Sequence, residues 1–138
     1  SQITSNLEEA REFCQADWFA QLRNVVIQLT QEIKQRSSQA LFTIQELFLK
    51  HDRFKEELPL FLDLLILWLR DILYVQAGRQ KHLINGDQQD ALQGQALIWT
   101  KLELLRGIEL VMDTRNRIER NANPQLALER LVLRIQEG

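Results

Sequence analysis

The sequence predicts an all-α fold, a helical bundle of about five to seven helices, and three observations carry that prediction. Only two prolines and five glycines occur among 138 residues, the last glycine being terminal. A turn-rich sandwich or barrel needs a breaker about every eight to twelve residues. Apolar residues recur at spacings of three and four, the repeat of one face of a 3.6-residue helix. The one hairpin-like dipeptide, Asn85-Gly86, has no alternating apolar and polar runs beside it, so no strand survives.

Composition bounds the rest. Hydrophobic residues make up 45% and charged residues 26%, a globular rather than a disordered balance. A mass of 16.3 kDa fits one domain, residues 1–138. Net charge is −2 and the isoelectric point about 5.7, so no bulk positive field draws the chain to nucleic acid or anionic lipid. A lone cysteine, Cys14, excludes an internal disulfide and a cysteine-built zinc site.

The elements follow in order. Ser5 and Asn6, then Glu8, Glu9 and Glu12, suit the start of a first helix over about Leu7–Ala16, where free amide hydrogens favour caps and carboxylates. Asp17 reads as the cap of a second, with Trp18, Leu22, Val25, Val26, Leu29 and Ile33 as its stripe. Ser37-Ser38 interrupts the pattern and caps a third, lined by Ala40, Leu41, Ile44, Leu47 and Phe48. Lys50-His51-Asp52-Arg53 marks a helix end or loop.

Pro59 opens a fourth and most apolar helix, harmless in a first turn because its missing donor is not needed there. Gly78 closes it as a C′ glycine. Asp63, Arg70 and Asp71 interrupt its apolar residues, which argues for a helix buried within protein rather than a membrane span. Leu83–Asp87 reads as a turn. A long helix then runs from about Asp87 or Ala96 to Asn121, with a possible break near Gly94. Its stripe is Ile98, Leu102, Leu105, Ile108 and Met112 on one edge, with Leu104, Val111 and Ile118 on the other. Glu103, Arg106, Asp113 and Arg117 lie opposite, and Gly107 permits close packing or a slight bend.

The boundary after it is the sharpest. Asn121 is suited to a left-handed helix end, Asn123 to a cap and Pro124 to the first position of a last helix. Leu128, Leu131, Val132 and Ile135 form that helix's stripe, which leaves Leu126 and Leu133 needing cover.

Motifs that carry chemistry are scarce. No Gly-x-x-x-x-Gly-Lys, Gly-x-Gly-x-x-Gly or His-Glu-x-x-His occurs, and neither His51 nor His82 has a Glu three residues earlier. Cys14 with a distant histidine would make a nucleophile–base pair, but a free cysteine on a helix is by default a small packing residue. Arg115, Arg117, Arg120, Arg130 and Arg134 could touch phosphates. The interleaved Asp113, Glu119 and Glu129 favour a solvated, ion-paired face instead. Arg70 and Asp71 leave two readings open. They form a charge stripe on the wet edge of their helix, or a pair reaching acidic residues of the long helix or another subunit.

Three segments carry a resemblance. Asn121-Ala-Asn-Pro-Gln-Leu-Ala-Leu-Glu-Arg-Leu-Val-Leu-Arg-Ile135 is similar to the closing segment of the delta-prime subunits of bacterial DNA polymerase III, an Asn-x-Asn element followed by Leu-x-Leu-Glu. Leu65-Ile-Leu-Trp-Leu-Arg-Asp-Ile-Leu73 resembles that family's Trp-x-Arg-Asp-Leu-Leu helix, and Leu83-Ile-Asn-Gly-Asp87 its Ile-Asn-x-Asp turn. Order and spacing agree over Leu65–Ile135, about half the chain, whereas residues before Lys50 match only as generic amphipathic helix.

The resemblance implies the helical collar domain of a clamp-loader subunit. The parent would also carry an AAA+-like N-terminal region, with a zinc module and an arginine finger, which this chain lacks. A collar joins the subunits of a pentameric ring that loads the sliding clamp during replication. The expectations are therefore no catalysis, no cofactor and no metal in this piece. Partners would be the delta and gamma/tau subunits, DNA and clamp would be met only indirectly, and there would be no membrane. The polar start Ser1–Asn6, unlike a cationic leader, adds a cytoplasmic address. Arg70, Asp71, Asn121, Asn123, Leu126, Leu128, Leu131 and Leu133 are the interface or structural candidates. A helical DNA-binding or regulatory domain and a small cofactor-free enzyme are the rival readings; the first predicts strongly salt-dependent DNA binding, and the second needs a cleft of convergent titratable groups.

Overall fold

The computed structural model describes the backbone of residues 2–138 and the side chains of residues 17–138. Seven α-helices follow one another: α1 (Gln2–Lys34), α2 (Gln39–Lys50), α3 (Asp52–Glu56), α4 (Leu58–Gln76), α5 (Gln89–Ala96), α6 (Lys101–Glu119) and α7 (Pro124–Glu137). Two single 3-10 turns, Gln80–His82 and Gly86–Gln88, link α4 to α5. No strand occurs among the described residues, so the bundle is all-α.

The expected first and second helices are one. No glycine or proline separates them, and Asp17, instead of capping, accepts a hydrogen bond from Gln21 Nε2 at 2.8 Å inside α1. The expected loop after Lys50 holds the short α3, fixed because Phe54 is fully buried and meets Phe48 and Phe61 edge-on at 5.1 Å each.

The core sits on α4. Phe61, Leu62, Leu65, Trp68, Leu69 and Ile72 are fully buried there, each worth about 1.5–3 kcal/mol of transfer free energy. Helices α1, α5 and α6 cover them. Three pairings show α6 antiparallel to α4: Asp63 with Arg115, Leu69 with Gly107, and Gln76 with the Trp99 carbonyl. A Cβ at Gly107 would stand 3.3 Å from Leu69 Cδ1, so this glycine serves close packing. Helix α7 returns antiparallel on α6, with Arg130 beside Asp113, and also packs on α2.

Three helices end in the same way. Arg36, Gly78 and Asn121 each take a positive φ, of 55°, 73° and 68°. In each, the next amide bonds back across the last turn: Ser37 to Glu32, Arg79 to Tyr74 and Ala122 to Arg117. Gly78 and Asn121 hold the roles that their residue types predict.

Candidate interaction surface

The pair Arg70–Asp71 is neither a wet charge stripe nor a link to acids of α6. Asp71 is fully buried, and its carboxylate accepts the Ile84 amide (3.2 Å), the Asn85 amide (2.7 Å) and Asn85 Nδ2 (2.8 Å). It thereby pins the loop between the two 3-10 turns onto α4. Arg70 stands 3.3 Å from the same carboxylate and stacks its guanidinium 4.2 Å from the centre of the Tyr74 ring. Asp63, one turn from the helix start, pairs with Arg115 of α6.

A second pin holds the turn between α5 and α6. Gln95 is buried, and its Oε1 accepts both indole N–H groups of Trp68 and Trp99 at 3.2 Å. Its Nε2 donates to the Ile27 carbonyl of α1 at 3.1 Å. Gln76 Nε2 donates to the carbonyls of Ala96 (3.1 Å) and Trp99 (2.7 Å). Thr100 and Glu103 close a capping box at the start of α6. Glu103 also binds Lys34 Nζ of α1 at 2.8 Å. Partial burial works against the Glu103 charge, yet the hydrogen bonds from Lys34 and Thr100 outweigh it and lower the carboxyl pKa below its ordinary 4.5.

The helix break therefore falls at Leu97–Thr100 rather than near Gly94, which lies within α5. The inward face of α6 is Leu104, Gly107, Val111 and Thr114. Leu102, Leu105 and Met112, read from sequence as part of the buried stripe, face outward. The side that carries Gly107 is the one that lets α4 approach, and Glu103, expected on the wet side, is drawn in by Lys34. Leu97 is 88% exposed and Leu102 78%. A buried polar network thus holds a turn that points Leu97 and Ile98 outward, with Leu102 following just inside α6, so Ile98 falls outside the helix whose stripe it was expected to join.

At the other end, Asn121 ends α6 and Asn123 caps α7, its side chain accepting the Leu126 amide at 3.0 Å. Leu128 and Leu131 lie in the core, whereas Leu126 is 64% and Leu133 48% exposed, seven residues apart on one outer face. Most of the arginine series is ion-paired: Arg117 and Arg130 with Asp113, Arg134 with Glu137, and Arg115 with Asp63. The Arg117 hydrogen bond lowers the Asp113 pKa, overriding slight burial.

Among the described residues no three His, Cys, Asp or Glu side chains are placed to hold a metal ion, and no helix is long and apolar enough to cross a membrane. The Cys14 side chain lies outside the described residues. Sequence reasoning missed Gln95, Gln76 and the outward role of Leu97 and Leu102. The readable signal was Thr100-x-x-Glu103, a capping box that ends one helix and starts the next.

An all-helical chain whose last two long helices carry outward leucines matches one family over nearly its whole length. The model of the C-terminal part of DNA polymerase III delta subunits fits residues 7–137, and the chain belongs to that family. It is 35% identical over 136 residues to the DNA polymerase III subunit delta' of Bacillus subtilis (strain 168), an alignment that takes in 99% of the chain and 41% of that relative. The chain therefore spans about two-fifths of the relative's length. No solved structure matches it.

Proposed function

We propose that the chain is a subunit-assembly domain of a DNA polymerase III clamp loader, a delta-prime collar that joins its neighbours in the ring during sliding-clamp loading. Its partners in this reading are the delta and gamma/tau subunits, and DNA and clamp are reached only through them. The domain spans residues 1–138, carries out no reaction, takes no cofactor and works in the cytoplasm beside an AAA+ region of the same protein. Family membership supports the setting. The observation that carries the assembly role is apolar surface that a well-filled bundle leaves outward: Leu102, Leu105 and Met112 on α6 and Leu126 and Leu133 on α7, beside Phe42 and Leu49 on α2. Aqueous exposure of so many large side chains is what a subunit interface removes. The ion-paired arginines weigh against direct DNA binding, which needs cations available to phosphates.

Co-purification of the full-length protein with delta and gamma/tau subunits tests the reading. Replacing both Leu126 and Leu133 by serine should weaken assembly about tenfold or more, since hot-spot truncations cost more than about 1 kcal/mol, and leave the helical melt unchanged. Assembly indifferent to these changes and to Leu102→Ser would overturn it. So would salt-dependent capture of duplex DNA by the full-length protein that is lost when Arg117, Arg120 and Arg130 are changed to alanine.

A further inference from the structure

A groove of about 590 Å³ lies between the C-terminal turns of α4 and the start of α6, away from the α7 leucines. Leu73, Tyr74 and Leu105 form its apolar floor, and Arg70, Arg79 and Lys101 form its rim, with no carboxylate in the lining. Arg70 is held in place by Tyr74 and Asp71. Among the described residues neither Arg79 nor Lys101 has an acidic partner. Both are exposed. In a chain of net charge −2 this is a local concentration of positive charge around an oily trough.

We infer that this groove is a docking site for an acidic amphipathic helix of a protein partner, bordering the α6 leucines proposed for ring assembly at Leu105 and apart from the α7 pair Leu126 and Leu133. Positions 70, 73 and 74 of α4 and its C-cap residue Ala77 share one face over two turns, about 10 Å of helix axis. A helix laid along that face offers apolar anchors at three- and four-residue spacing to the floor and carboxylates to the three cations. Nucleic acid fits less well. Arg70 already occupies a face of Tyr74, the one ring of the floor on which a base would stack, and the floor offers nothing to phosphates.

Fluorescence anisotropy on the full-length protein tests this with three labelled probes. The first is a peptide with leucines at helical spacing flanked by glutamates, the second its counterpart with lysines for glutamates, and the third a duplex DNA oligonucleotide. The acidic peptide should bind. Its Kd should rise about tenfold or more when Arg79 and Lys101 are both changed to glutamate, rim positions that steer charged partners. The lysine peptide should bind that variant better than the unmodified protein. Equal affinity of both proteins for the acidic peptide would overturn the site, as would capture of the DNA probe alone. Co-purification with delta and gamma/tau subunits separates the two surfaces: the charge variant keeps ring assembly while losing the peptide. Loss of both together would overturn the groove as a separate site, and loss of assembly only in the leucine variants leaves the groove assignment standing.

Discussion

Two stretches of chain fold back onto α4, and opposite chemistries pin them. The loop around Ile84–Asn85 is held by one buried carboxylate, Asp71, which takes three hydrogen bonds from it. The turn at Leu97–Thr100 is held by neutral amides, Gln95 and Gln76, which satisfy two indoles and three carbonyls. A carboxylate only accepts, so it suits a loop whose amides point inward. A glutamine both accepts and donates, so it suits a junction where indole donors and orphan carbonyls meet. The difference also sets fragility: a charge-assisted clamp loses more when its centre is removed.

The sharpest way to break the comparison is Asp71→Ala. It strips acceptors from the part-buried Ile84 amide and from the buried backbone and side-chain amides of Asn85, and should lower unfolding stability by about 3–5 kcal/mol, read by urea denaturation. Asp71→Asn keeps one acceptor oxygen and should lose about half of that. Hydrogen exchange should speed up first at the Ile84 and Asn85 amides. A uniform loss over the whole chain, with no local step, would contradict the clamp.

Gln95→Leu is the matching cut at the neutral pin. Two buried indole N–H groups lose their acceptor, while the leucine fills much of the space, so the loss should be about 2 kcal/mol. Tryptophan emission from Trp68 and Trp99 should shift at the same time. A loss as large as that of Asp71→Ala would mean that charge is not what distinguishes the two pins.

Glu103→Gln probes the edge of the second region. The capping role survives in a glutamine, so only the pair with Lys34 goes, and about 1 kcal/mol should be lost at neutral pH. The folded pKa of Glu103 is lowered, so its contribution is fully present above the ordinary 4.5 and disappears as pH falls through the folded value. The stability gap between wild type and Glu103→Gln should therefore close on acidification. A gap constant from neutral to acid pH would remove the pair from the account.

Sequence legibility divides along the same line. Where one residue type answers one local geometry, the sequence was readable: Gly78 and Asn121 in left-handed ends, Asn123 as a cap, Pro124 in a first turn. Arg36 takes the same left-handed role without a residue type that announces it, and the Ser37 amide still bonds back to the Glu32 carbonyl. Asp71 was visible as a charge in an apolar helix, but its partners are backbone amides of a loop, which have no sequence signature. Gln95 was invisible, since a glutamine on a short helix reads as solvated until the distant Trp68 converges with the nearby Trp99 on its side chain. The outward turn of Leu102 and Leu105 was misread because apolar residues occupy both sides of α6, and only the approach of Leu69 at Gly107 decides which side is inside.

The smallest change in stability should separate holding from binding. Leu97 and Leu102 are 88% and 78% exposed, so replacing both by serine removes little buried surface and should move stability by less than about 0.5 kcal/mol. The Gln95 pin does not depend on them. If the neutral network exists to present these side chains, the double change should weaken association with partner subunits while the melt stays put, a dissociation that neither Asp71→Ala nor Gln95→Leu can produce. Equal loss of folding and association would mean that the leucines belong to the bundle's own packing, and that the two pins serve the same structural end.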